Sequence, residues 1–163
     1  MKNSDTFNIF IERAVDNQDS QYIPDDKDIH RWISTTLTSQ NKAITTELGV
    51  RITDNNEIHN LNKTYRHKDK PTNVLSFPFE VPKNFPEDIE NEYIGDIICS
   101  IEYINKEAHD QNKEPKAHWA HIIIHGTLHL LGFDHIEDND AEIMEQKEID
   151  ILESLGYKNP YLY

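Results

Sequence analysis

Residues 116–135 read KAHWAHIIIHGTLHLLGFDH, and the order of the chain is built around this stretch. Pro115 suits the first turn of a helix, where its missing N–H costs nothing, and the spacing predicts a helix over 116–131. Gly132 ends it, since glycine tolerates the left-handed conformation that closes a helix. Five of the nine histidines (His118, His121, His125, His129 and His135) fall in this stretch. On a helix each residue advances about 100°, so His125 and His129 stand about 40° apart around the axis and roughly 6 Å apart along it. Both imidazoles can then face one ion. A sharp turn at Gly132 swings His135 back toward them. Three protein nitrogens leave a fourth tetrahedral position for water, the arrangement of a catalytic site, whereas structural sites are closed by four ligands. His118 and His121 lie near the face of His125; they are either partners of the site or polar residues of a central helix.

Upstream, residues 7–15 (FNIFIERAV) alternate loosely and read as a strand. Ile29, Trp32, Ile33 and Leu37 give residues 25–38 the period of an amphipathic helix. Residues 48–53 alternate at period two, and Asp54 is placed to cap a helix carrying Ile58, Leu61 and Tyr65. Residues 72–79 and 93–100 read as two further strands; Pro78 cannot donate to a ladder, so the first ends there or lies at an edge. Between them, residues 81–91 (VPKNFPEDIEN) read as a surface loop. A short helix is expected over 101–109 and a longer one over 139–155, stopped by Gly156. Strands and helices mix without strict alternation. The fold class is therefore α+β, a single small mixed β-sheet of about four strands flanked by helices, with the histidines on a central helix and the following turn. The 163 residues form a single domain, 1–163.

The chain carries 16 Lys and Arg against 30 Asp and Glu, a net charge of −14. No apolar run approaches the roughly 18 residues of a membrane span, and the first residues lack the pattern of a secretory signal. Cys99 is the sole cysteine, so there is no internal disulfide; it ends an apolar strand and reads as a buried structural thiol. A cytoplasmic protein is expected, with no membrane partner. So acidic a chain attracts nucleic acid only through a local patch. One exists: Lys63, Arg66, Lys68 and Lys70 surround the lone acid Asp69. From 134 to 153, by contrast, nine acids face one Lys. That run reads as a solvated helix face, or as a dock for basic protein partners. Met144 reads as core.

The segment His125-Gly126-Thr127-Leu128-His129-Leu130-Leu131-Gly132-Phe133-Asp134-His135 resembles the signature of the YbeY family, metal-dependent endoribonucleases of ribosomal RNA maturation. Residues 61–78 (LNKTYRHKDKPTNVLSFP) are similar to that family's second block, and Gly95-Asp96-Ile97 to a third. The resemblance implies a small, mostly parallel mixed sheet with the histidines in a cleft. It implies one Zn2+ held by His125, His129 and His135, with Arg66 a catalytic residue in the same cleft. It further implies a single-strand-type endoribonuclease acting in rRNA processing, at the 3′ end of small-subunit rRNA, and in ribosome quality control. Its partners would be an rRNA precursor and the ribosome or small-subunit ribosomal proteins. Asp134 reads either as a residue that orients a ligand or as a turn residue.

Two other functions fit parts of the pattern. A non-catalytic ribosome-assembly factor would use the metal only as a staple, with four protein ligands. A metallopeptidase of the HExxHxxGxxH type shares the histidine and glycine spacing, but its general base is the Glu after the first His. Here that position is Gly126, which accepts no proton.

Overall fold

A computed structural model describes residues 6–15, 21–80, 84 and 92–162. The expected loop at 81–91 lies, Asn84 apart, outside the described residues. The elements run β1 (Asn8–Arg13), α1 (Asp26–Ser39), β2 (Glu47–Thr53), α2 (Asn55–Arg66), β3 (Val74–Pro78), β4 (Tyr93–Ser100), α3 (Ile101–Asp110), α4 (Pro115–Leu130) and α5 (Asp138–Ser154). The fold is α+β. Its sheet has the order β1-β2-β4-β3, with β1–β2 and β2–β4 parallel and β3 antiparallel to β4 at one edge. Pro78 ends β3 on that edge, where a missing N–H is tolerated.

Local chemistry sets the helix starts. Asp25 accepts from the Asp28 N–H at 2.8 Å and Asp54 from the Glu57 N–H at 2.9 Å, each satisfying an orphan donor of the first turn. Ser100 caps α3 in the same way, accepting from Tyr103. The core gathers α1 (Ile29, Trp32, Ile33, Leu37), β2 (Leu48, Val50, Ile52) and α4 (Trp119, Ile123, Ile124, Leu128), all of these side chains buried. Each contributes roughly 1.5–3 kcal/mol by leaving water. Helix α4 touches α1, α3, α5, β3 and β4, which is why its sequence is apolar on most sides. The free thiol of Cys99 is buried among these residues, and burial pushes it up to about 12. Met144 is fully buried as well.

Gly95 holds the edge pairing of β3 in place. Its φ is +142°, and a Cβ there would stand 2.3 Å from the Phe77 carbonyl oxygen and 2.9 Å from Pro78 Cα. Both are backbone atoms of the paired strand and cannot rotate away. Gly95→Ala is expected to destabilise the protein by about 3 kcal/mol or more, combining backbone strain with overpacking; urea unfolding monitored by circular dichroism measures it.

Candidate metal centre

The end of α4 builds the site. The Gly132 N–H bonds to the His129 carbonyl at 3.0 Å and the Phe133 N–H to the Leu128 carbonyl at 3.1 Å, with Gly132 at φ +98°. This pair of bonds is a Schellman closure, and it reverses the chain within three residues. His135 is thereby carried back to the two helical histidines. Ring centroids are 4.6 Å apart for His125–His129, 5.4 Å for His125–His135 and 5.1 Å for His129–His135. One ring nitrogen from each lies within 4.8 Å of the other two. The grouping expected from spacing is therefore present. Asp134 Oδ1 accepts from the His135 N–H at 2.7 Å, a bond within the turn.

The donor set fits a metal ion. The Nε2 atoms of His125 and His129 face each other at 3.1 Å, and two imidazole nitrogens so placed need a shared proton or a cation between them. Two nitrogens on a tetrahedral zinc, each about 2.0–2.1 Å from it, would be about 3.3 Å apart. Burial, with His125 and His135 close by, pushes His129 down to about 4, so it is the neutral, ligating form at pH 7. Among the described residues no fourth His, Cys, Asp or Glu joins the cluster.

The histidines open into a cleft of about 600 Å³ whose lining includes Arg66, Lys68, Lys70, Ser76 and Tyr103. Arg66 is the last residue of α2. Its Nη2 donates to the Ser76 carbonyl at 2.7 Å, and its Cζ lies 4.8 Å from the Phe77 ring centroid. Ser76 Oγ in turn donates to the Gly126 carbonyl at 2.9 Å. The guanidinium is thus tied through one residue of β3 to the turn of α4 that carries His125. The basic run divides: Lys68 and Lys70 reach the cleft, Lys63 stands outside it, and Asp69 pairs with His59 at 2.6 Å.

Gly126 faces the sheet. A Cβ there would meet Ile97 Cγ2 at 3.1 Å, Val74 Cγ2 at 3.2 Å and Ser76 Oγ at 3.3 Å. Any side chain here would have to push these three neighbours back by a few tenths of an ångström, so the glycine fits closely against the sheet, and it lacks the carboxylate that the peptidase pattern uses as its base.

The remaining histidines separate. His118 is buried and its Nε2 pairs with Glu107 at 3.0 Å, which also accepts from Asn73; it is a polar residue of the core. His121 belongs with the site through a residue that the sequence reading misassigned. Glu148, counted above in a solvated acidic face, is 1% exposed. Its Oε1 accepts from His121 Nε2 at 2.5 Å and from the Tyr161 hydroxyl at 2.6 Å, and its Oε2 accepts from His125 Nδ1 at 2.8 Å. Burial alone would raise this carboxyl, but the hydrogen bonds from His121 and His125 outweigh it and hold the group at about 2. The same burial, together with Glu148, drives the Tyr161 hydroxyl well above the usual phenol value. The sequence does contain the signal: Met144, Glu148, Ile151 and Leu152 share the buried face of α5 at helical spacing.

The model of the family described as Endoribonuclease YbeY matches residues 14–156. Among solved structures, the solution structure of TM1509 from Thermotoga maritima is similar, with a TM-score of 0.57 and 24% sequence identity over 90% of this chain and 88% of that chain. At that identity the likeness speaks to the fold.

Proposed function

The chain belongs to the YbeY endoribonuclease family, and on that basis we propose that it is a zinc-dependent endoribonuclease of single-stranded rRNA regions, working in the cytoplasm. The proposed task is maturation of the 3′ end of small-subunit rRNA and ribosome quality control, in contact with the small subunit or its proteins. The observation that carries the reading is the convergence of three imidazoles on a cleft that also holds Arg66.

In this reading His125, His129 and His135 hold the ion, and Arg66 is catalytic. When bound, zinc supplies Lewis acidity toward water and a phosphoryl oxygen. The chain's own residues do the rest. Arg66 offers a planar, permanently charged fork to the phosphate as negative charge builds on it. Its anchor on Ser76 and its place over Phe77 limit the rotamer freedom lost on binding. Lys68 and Lys70 attract the flanking phosphates, a local attraction that a chain of net charge −14 provides nowhere by composition alone.

Metal analysis of the purified protein combined with an rRNA cleavage assay tests this. About one zinc per chain is expected, with cleavage lost on chelation and regained when zinc returns. Undiminished cleavage by metal-free protein overturns the proposal. So does equal rescue of rRNA processing by a folded, metal-free His variant, which favours an assembly factor acting by binding.

A further inference from the structure

We infer that Glu148 is a positioning residue for His125, locking the imidazole in the tautomer whose Nε2 lone pair faces His129 and His135, and that Tyr161 and His121 hold its carboxylate in place. The inference rests on the metal reading of the three histidines. Its geometry is a division of labour between two oxygens. Oε1 is taken by two donors, the His121 Nε2–H and the Tyr161 hydroxyl, which leaves Oε2 committed to the His125 Nδ1–H. A carboxylate accepts and cannot donate, so the proton of His125 must sit on Nδ1. The other nitrogen is then the free acceptor, pointing at His129 Nε2 across 3.1 Å.

A carboxylate buried this deeply persists only with its hydrogen bonds satisfied, and here three donors, two from α4 and one from the segment after α5, supply them. Two come from successive turns of α4. The third comes from beyond α5, where the chain turns at Gly156 (φ +93°) and is pinned by Lys113 Nζ donating to the Pro160 carbonyl at 3.0 Å. The segment after α5 thus reaches back over the helix to fix the carboxylate that fixes His125. A carboxylate or carbonyl behind a ligating histidine sets its ring orientation and basicity, and loss of such a partner costs about 10–100-fold in metal affinity or activity.

The test uses the full chain with zinc as the probe. Zinc affinity is measured by competition with a chromophoric chelator, and the His125 tautomer by long-range 1H–15N spectra of the metal-free protein. Wild type is expected to carry its His125 proton on Nδ1. Glu148→Gln is expected to show a mixed tautomer and to bind zinc about 10–100-fold more weakly. Tyr161→Phe, which leaves both histidine contacts intact, is expected to weaken binding in the same direction by a smaller factor. A merely structural role would lower the melting temperature and leave tautomer and affinity alone; Glu148→Gln behaving so overturns the inference. If that variant does not fold, the wild-type spectrum decides, since a proton on His125 Nε2 in place of Nδ1 overturns it by itself. Wild type without zinc affinity sinks the metal reading instead, a separate outcome.

Discussion

His129→Ala is expected to empty the metal centre and abolish RNA cleavage while the protein stays folded. The variant removes one of three nitrogens, and the two that remain cannot reproduce a three-ligand site. Loss of a direct ligand should exceed the about 10–100-fold penalty for losing a partner behind one, so cleavage should fall more than about 100-fold with zinc near zero per chain. The fold should survive because His129 is only part-buried and its ring contacts are the other two histidines. Its environment disfavours the charged form, so no ion pair is lost. Urea unfolding of the two metal-free proteins should agree within about 1 kcal/mol. Wild-type cleavage by this variant would remove the metal from the chemistry. Global unfolding on zinc removal would instead identify a structural staple.

How much of this was legible beforehand follows from the range over which each feature is encoded. The closure at Gly132 is local: a glycine after a helical run and a histidine three residues on fix where His135 goes, and the structure agrees. Helix starts at Asp25 and Asp54 are local for the same reason, one side chain meeting one N–H. Strand order is not local. Nothing within β3 states that it pairs antiparallel with β4 at an edge; Pro78 narrows the choice without making it. The expected strands 7–15 and 72–79 also proved longer than β1 and β3. At the second, Asn73 turns its own Oδ1 to the Val74 N–H at 2.6 Å, and β3 begins at Val74, two residues after the expected start. Glu148 was missed because an acid within an acidic run looks solvated. Only the apolar spacing of Met144, Ile151 and Leu152 marks it as inward, and its partners lie 23 and 27 residues away on another helix.

Arg66→Ala is expected to lower the cleavage rate about 100–1,000-fold, the usual cost of removing one group aimed at developing charge, with zinc content unchanged. The arginine is linked to α4 through Ser76, whose carbonyl it holds and whose hydroxyl donates to the Gly126 carbonyl, and it is not one of the three grouped nitrogen donors, so metal binding and charge stabilisation should separate. Stability should change little. The side chain is exposed, and what it gives up is one hydrogen bond and a cation–π contact worth about 0.5–1 kcal/mol at such a site. Arg66→Lys discriminates between two ways a cation could act. If bulk attraction for RNA were the whole effect, lysine would restore the rate and the loss in Arg66→Ala would shrink as RNA concentration rises. If the fork grips the reacting phosphate, lysine cannot supply two parallel N–H bonds from one plane, and the rate at saturating RNA should stay low in both variants. The anchoring of the guanidinium on Ser76 favours the second outcome, because a side chain needed only for its charge gains nothing from being held in one orientation. Zinc-loaded Arg66→Ala cleaving as fast as wild type would exclude the arginine from the reaction and leave the basic rim of the cleft with binding alone.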